Sequence, residues 1–272
     1  MSLLDRETDK RTVMTDMQFL EERRKAILER LQQFGRVSVN TLSDEMGVST
    51  VTIRQDLRAL EQLGLLKRTY GGAIRRLPDQ AVAELSFHIR QEQNIVEKDL
   101  IARAAAGLVK ADYSIALDAS TTAYAMVPYL KALSALTVVT NSLSVAQSFL
   151  DSPHIEVLMP GGRLRRDSIS LVGRPELLPD INLNIGFVGA VGITAHSGVG
   201  DIDPDEVAIK RAMIARCIET VVIADSSKWG RLAPYTVFTP ESIQYIITTT
   251  YAPQELVAQF LDRHIRVDTL TL

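Results

Sequence analysis

Between Ser49 and Leu63, apolar side chains fall at Val51, Ile53, Leu57, Leu60 and Leu63, a spacing that winds one stripe along the side of an α-helix. A helix this short is marginal in water, so the stripe commits it to a small packed unit. Ser49 stands where an N-cap is needed, because its hydroxyl can accept from an otherwise unpaired N–H of the first turn. Ser49, Thr50, Thr52, Arg54, Gln55 and Arg58 are left as the polar face. Gly64 ends the helix. Leu65 to Arg68, followed by Tyr70-Gly71-Gly72, then reads as a hairpin whose glycines admit a tight turn.

The residues before this helix complete the unit. Positions 1–20 are dense in charge and poor in core residues, and read as a flexible arm. Ile27, Leu28, Leu31 and Phe34 recur at helical spacing and Gly35 stops that helix. Val37-Ser38-Val39 suggests a short extended piece able to pair with the hairpin. A helix from about Asn40 to Met46 buries Leu42 and Met46, Gly47 supplies the turn, and Val48 plugs the angle between two helices. The sum is a winged helix-turn-helix over 21–76. In such a unit Arg54 can reach a phosphate or a guanine edge, Gln55 can pair with adenine, and the small hydroxyls can approach phosphates. An ordinary solvated face accounts for any one of these residues. The basic hairpin, with Lys67, Arg68, Arg75 and Arg76, tilts the set toward double-stranded DNA. Charge is divided accordingly: residues 1–76 hold 14 Lys/Arg against 11 Asp/Glu, and residues 77–272 hold 16 against 22.

Residues 77–94 read as a connector that turns helical before Lys98. The following helix, Glu97 to Val109, is expected to pack Leu100, Ile101, Ala104 and Leu108. Short apolar strands are expected at Ser114–Leu117, Thr137–Thr140, Glu156–Met159, Ile185–Val188, Thr220–Ala224 and Tyr245–Thr249. Helical intervals lie at Ser142–Leu150, Glu206–Cys217 and Pro253–Arg263. This alternation predicts a mostly parallel α/β sheet over 95–272, with ligands collecting at loops that follow strand ends.

Three such loops stand out. Asp118-Ala119-Ser120-Thr121-Thr122 has the hydroxyls and backbone donors to cradle a phosphate, with a plain Ser/Thr cap as the competing reading. In Thr140-Asn141-Ser142, Asn141 can orient a sugar hydroxyl while Ser142 caps a helix. Asp225-Ser226-Ser227-Lys228 offers an acceptor and a mobile cation. Gly161-Gly162 and Gly173 form tight turns near the same rim. Glu206 and Lys210 lie four apart on a helix, where they either pair across its surface or face a cavity. The single cysteine, Cys217, excludes an intrachain disulfide and a multi-cysteine zinc cluster and reads as a buried structural thiol. No nucleotide-cofactor or metal motif stands out, so no cofactor is expected. With no run of 18 apolar residues and no basic start leading into an apolar core, a cytoplasmic protein is expected.

V48-S-T-V-T-I-R-Q-D-L-R-A-L60 and K67-R-T-Y-G-G-A73 resemble the N-terminal domain of the DeoR family of bacterial transcriptional regulators, whose signature runs V-S-x-x-T-I-R-R-D-L-x-x-L before a basic G-G-A wing. The remainder resembles that family's C-terminal sugar-phosphate-sensing domain, related in fold to ribose 5-phosphate isomerase. Two positions depart from the pattern: Gln55 replaces the second arginine, and Ser120 replaces the glycine of D-x-G-T-T. The resemblance implies that Ser49, Thr50, Thr52, Arg54 and Arg58, with Lys67 and Arg68 of the wing, contact operator DNA. It implies an effector site at Asp118, Ser120, Thr121, Thr122, Asn141, Gly161, Gly162, Glu206, Lys210, Asp225 and Lys228. A repressor of carbohydrate-metabolism genes follows, acting as a homodimer or homotetramer under a phosphorylated sugar. Two alternatives remain: a sugar-phosphate isomerase using Asp118, Glu206, Asp225 and Lys228, and an architectural DNA-binding protein.

Overall fold

The computed structural model describes residues 23, 24, 26–31, 34–62, 66–74 and 86–271. The expected arm, Leu63, the stop at Gly64, Leu65, Arg75, Arg76 and residues 77–85 of the connector lie outside them. The chain divides into two compact units, Met1–Leu85 and Ser86–Leu272.

In the first unit, helix α1 is seen at positions 23, 24, 26–31 and 34, and Gly35 closes it with φ 71° and an N–H donated to the Leu31 carbonyl at 2.9 Å. Strand β1 (Arg36–Ser38) leads into α2 (Val39–Met46), which ends at Gly47 in the left-handed region, and α3 spans Thr50–Gln62. Strands β2 (Lys67–Thr69) and β3 (Gly72–Ile74) form the wing, in the antiparallel order β1-β3-β2. Gly72 is obligatory here, since a Cβ on it would stand 1.9 Å from the Val37 carbonyl oxygen across the β1–β3 pair. The core gathers Ile27, Leu31, Leu42, Ile53, Leu57, Leu60 and Leu66. Burying each large aliphatic stabilises the unit by roughly 2 kcal/mol before conformational entropy is set against it.

Two expectations fail here. Val51 is 59% exposed, because it stands about 200° around the helix from Ile53. Phe34, at the end of α1, is 60% exposed.

The second unit opens with α4 (Phe87–Glu92) and α5 (Ile95–Ala106), so residues expected to be connector are already part of it. Seven strands form one wholly parallel sheet: β4 (Ser114–Leu117), β5 (Leu136–Thr140), β6 (Ile155–Leu158), β9 (Leu183–Val188), β12 (Cys217–Ile223), β14 (Tyr245–Thr249) and β15 (Arg266–Leu270). Their order is β15-β14-β12-β9-β4-β5-β6. All six expected strands are present, and β15 is an added edge strand. Helices α6 (Thr121–Ala125), α7 (Val127–Leu130), α8 (Leu143–Ser148), α9 (Pro204–Ile214) and α10 (Gln254–Leu261) connect them. Two smaller sheets were not expected: a hairpin of β7 (Arg163–Arg165) and β8 (Ser170–Val172), and a three-stranded sheet of β10 (Gly192–Thr194), β11 (Gly198–Asp201) and β13 (Tyr235–Phe238).

The strand order reverses between β4 and β9, since successive strands run outward from β4 on one side and from β9 on the other. Ligands of open α/β sheets collect in the crevice at such a switch point, beyond the carboxyl ends of the strands. Cys217 opens β12 instead of closing a helix. Its thiol donates to the Met213 carbonyl at 3.3 Å, lies under Gly186, and burial pushes its pKa up to about 12, so it is a structural thiol.

Candidate functional site

The polar face of α3 takes the form its sequence implies. Ser49 Oγ accepts from the Thr52 N–H at 3.1 Å, capping the helix. Arg54, Gln55 and Arg58 are exposed and Thr50 and Thr52 are half-buried. Arg54 reaches back to the Thr50 hydroxyl at 3.4 Å. On the wing Lys67 and Arg68 are exposed, and Tyr70 projects fully at the turn. Arg68 is bound to Glu61 of α3 through its backbone N–H at 2.9 Å and its Nε at 2.6 Å, which ties the wing to the helix. The hydrogen bonds from Arg68 hold the Glu61 carboxyl below its ordinary value.

Asp56, on the same helix, stands apart from this polar face. It orients neither Arg54 nor Arg58; it is buried and accepts from Arg23 at 2.6 Å and Arg24 at 3.0 Å, clamping α1 to α3. Its spacing from Ile53 and Leu60 places it on the apolar face, a signal present in the sequence.

At the switch point, Asp118 follows β4 and is wholly buried. Its Oδ1 accepts from the Ser120 N–H at 3.1 Å, and its Oδ2 accepts from the Gly189 N–H at 2.9 Å and from Lys210 at 2.9 Å. Lys210 also donates to Asp201 at 2.6 Å and to the Gly189 carbonyl at 3.4 Å. Burial alone would lower the Lys210 pKa; Asp118 and Asp201 outweigh it and hold the ammonium above its ordinary value. Burial likewise pushes the Asp201 carboxyl up, and Lys210 reverses the shift to a net fall. Ser120 accepts from the Ala123 N–H at 3.1 Å and so acts as the cap of α6, with Thr121 and Thr122 buried behind it.

Glu206 turns inward from α9 and gathers a second group. It accepts from Asn141 Nδ2 at 3.1 Å, from the Ser168 hydroxyl at 2.6 Å and from the Ser170 hydroxyl, with Arg165 at 3.6 Å. Glu206 and Lys210 therefore face the interior, each with its own partners. Between the two serines, Ile169 has φ 51°, a conformation that β-branched residues avoid, and the Glu206 bonds on either side hold it there. Ser142 caps α8 through the Val145 N–H at 3.2 Å. The Oδ1 of Asn141 is buried without a hydrogen-bond partner.

The glycines of the rim serve packing. A Cβ on Gly161 would meet Leu177 at 2.8 Å, and one on Gly162, at φ 151°, would meet the Val172 carbonyl at 2.6 Å.

Asp225, after β12, belongs to a separate group. Its Oδ1 accepts from Asn94 at 2.9 Å and from Ser227, while its Oδ2 is buried without a partner. Burial would raise this carboxyl, but Lys228 and the hydrogen bonds bring it below its ordinary value. Lys228 is half-buried on the same turn. Glu97 of α5 accepts from the Ser226 N–H at 3.0 Å and hydroxyl at 2.8 Å, and from Thr249. Its neighbour Lys98 is buried and donates to the carbonyls of Arg90 and Gln93; burial brings its pKa down to about 8. The groups named for an isomerase are thus divided, with Asp118 and Glu206 in networks around α9 and Asp225 with Lys228 beside α5.

Asn94, Lys98, Asp201, Arg165, Ser168 and Ser170 were not picked out from sequence. Lys98 had a legible signal, since it stands three, four and seven residues before Ile101, Ala102 and Ala105, the buried face of α5. Among the described residues, no group of His, Cys, Asp and Glu could hold a metal ion, and no helix is long and apolar enough to cross a membrane.

A winged helix-turn-helix with exposed cations, joined in one chain to a parallel α/β unit with a polar switch-point site, defines a DNA-binding regulator with a sensing domain. Residues 23–77 match the DeoR-like helix-turn-helix domain and residues 93–250 match the DeoR C-terminal sensor domain. The chain is 35% identical to the HTH-type transcriptional regulator GolR of Listeria innocua over 90% of this chain and 97% of that one. It is 30% identical to the glycerol-3-phosphate regulon repressor of Escherichia coli, over 91% and 98%. The chain belongs to the DeoR family of transcriptional regulators. Ribose 5-phosphate isomerase A of Methanocaldococcus jannaschii aligns with a TM-score of 0.38 and 19% identity, over 50% of this chain and 55% of that one, too remote to bear on function.

Proposed function

We propose that this regulator represses carbohydrate-metabolism genes and that a phosphorylated sugar, bound at the carboxyl ends of the sensor strands, sets its affinity for operator DNA. The observation that carries the reading is the pair of buried, unpartnered acceptors, Asn141 Oδ1 and Asp225 Oδ2, on the rim of the sheet. An orphaned buried acceptor costs about 1–3 kcal/mol, and the hydroxyls of a polyol are donors of the required kind. The relative that represses a glycerol-3-phosphate regulon supports a phosphorylated effector. Ser49, Thr50, Thr52, Arg54, Gln55, Arg58, Lys67 and Arg68 form the DNA surface, α3 supplying base contacts and the wing supplying phosphate contacts. One such module buries little area, so the working form is a homodimer or homotetramer on repeated half-sites, in the cytoplasm.

The effector must bind one DNA-affinity state better than the other, since equal affinity shifts nothing. A thermal-shift screen of phosphorylated sugars against their unphosphorylated counterparts tests this. Stabilisation by one phosphorylated member, with a matching change in DNA affinity, is expected. A panel without a hit, or a hit that leaves DNA affinity unchanged, overturns the reading.

A further inference from the structure

The wing turns on two residues, Tyr70 and Gly71, between Thr69 of β2 and its partner Gly72 of β3. Tyr70 stands at the tip with its side chain fully in solvent, and among the described residues it makes no hydrogen bond and no ring contact. A lone exposed aromatic is common on protein surfaces and carries no argument by itself. The stiffness of the mount sets this one apart. The Gly71 carbonyl accepts from the Val39 N–H at 2.8 Å, and Gly72 packs directly against the Val37 carbonyl. Arg68, two residues before Tyr70, is held to Glu61 of α3 at 2.9 and 2.6 Å. The tip is thus fastened to β1, α2 and α3, and a group presented on a fixed mount loses less freedom when it binds.

Lys67, Arg68 and Thr69 are exposed along β2, so the ring ends a basic row, about 10 Å beyond Lys67 at the rise of an extended strand. Cations on such a row meet phosphates, which carry no sequence information. A phenol differs from them. It is neutral and flat, thin enough for a minor groove about 6 Å wide, and its hydroxyl both donates and accepts at the far end of the ring. In that groove an A·T pair offers only acceptors, adenine N3 and thymine O2, whereas a G·C pair adds the amino group of guanine. A phenol carried to the groove floor therefore finds a hydrogen bond at A·T and an obstructing amino group at G·C. Segments that flank a recognition helix are placed for the minor groove adjoining its major-groove site.

We propose that Tyr70 is a base-reading residue: its ring enters the minor groove beside the site of α3, and its hydroxyl donates to adenine N3 or thymine O2. The wing then selects A·T pairs at the edge of each half-site, in addition to the phosphate contacts of Lys67 and Arg68. The assignment rests on the reading of this unit as the DNA surface and adds to it a residue outside the set given for that surface.

The test uses the full chain and a duplex that it selects from a randomised library. Hydroxyl-radical protection locates the pairs under the wing, which are then set to A·T, inosine·cytosine or G·C. Inosine lacks the guanine amino group, so inosine·cytosine shows the minor groove of A·T and the major groove of G·C. A·T and inosine·cytosine are expected to bind alike, and G·C about tenfold more weakly. Tyr70→Ala should bind all three at about the level of the unmodified chain on G·C. Its salt dependence should be unchanged, because a neutral side chain releases no counter-ion. Tyr70→Phe, which keeps the ring and loses the donor, should keep the order with a smaller gap. A Tyr70→Ala chain that retains the preference, even while binding more weakly throughout, overturns base reading and leaves the DNA surface standing. A changed oligomeric state of Tyr70→Ala, read by light scattering, overturns it in favour of a contact between copies. An unmodified chain for which the library yields no duplex overturns the DNA surface and the base reading together.

Discussion

The two units use charge in opposite ways. In the DNA-binding unit the cations proposed to meet DNA, Arg54, Arg58 and Lys67, are exposed, and among the described residues the one buried carboxylate, Asp56, is spent on joining α1 to α3. In the sensor unit Asp118, Asp201, Glu206, Lys210, Lys98 and Asp225 are all buried. A polyanion with many equivalent phosphates is met by mobile surface charge, whose contribution depends on salt. A small ligand of fixed geometry calls for charges held in place before it arrives. Within the sensor the contrast recurs, with Lys210 paired to Asp118 and Asp201 and Lys98, among the described residues, bound to the carbonyls of Arg90 and Gln93 and in ion pair with no carboxylate.

That comparison can be broken most forcefully at Lys210. Lys210→Met leaves Asp118 and Asp201 buried without their cation and should destabilise the sensor unit by about 3–5 kcal/mol, read from urea unfolding; a change below about 1 kcal/mol would remove the distinction between the two lysines. Next comes Asp56→Ala, which frees Arg23 and Arg24 from the recognition helix. A loss of about 2 kcal/mol is expected in the DNA-binding unit, with the sensor transition unmoved.

Arg54→Ala should weaken DNA binding by about 1–2 kcal/mol while leaving the thermal shift by effector intact. Unchanged DNA affinity at physiological salt would take Arg54 out of the interface. The smallest effect concerns pH. The folded-state pKa of Lys98 is lowered from 10.5 to about 8, so the unfolded chain binds the extra proton between those values. The contribution of this group to stability therefore rises with pH across that window, and Lys98→Met should flatten the rise. Burial is the main cause of the shift, and Asp225, Lys228, Arg90 and Glu97 are the charged groups that act on it.

Much of the architecture was legible because period and punctuation suffice for it. Gly35 and Gly47 mark helix ends by needing positive φ, and the six expected strands of the parallel sheet announce themselves as short apolar runs. The edge strand β15 and the β7–β8 hairpin were missed, since R266-V-D-T-L270 and R163-L-R165 are too polar to read as buried strands. The candidate site was legible as strand-end loops but not as partnerships. Glu206 and Lys210 have the spacing of a surface pair, and only the fold shows that each turns to a different set of partners. Lys98 escaped for a local reason. The expected stripe on α5 was Leu100, Ile101, Ala104 and Leu108; Ile101 is buried but the other three are half-buried, whereas Ala102 and Ala105 mark the rest of the buried face and carry Lys98 with them.

The most direct measurement takes a duplex selected by the protein from a randomised library and records its affinity at fixed salt, with and without the phosphorylated sugar that gives the largest thermal shift. For the unmodified chain the account predicts a change of about 5- to 150-fold, the usual span of allosteric coupling. Arg54→Ala should bind the same duplex more weakly and keep the effector-dependent change. An unmodified chain whose DNA affinity is indifferent to bound effector contradicts a sensor coupled to the operator.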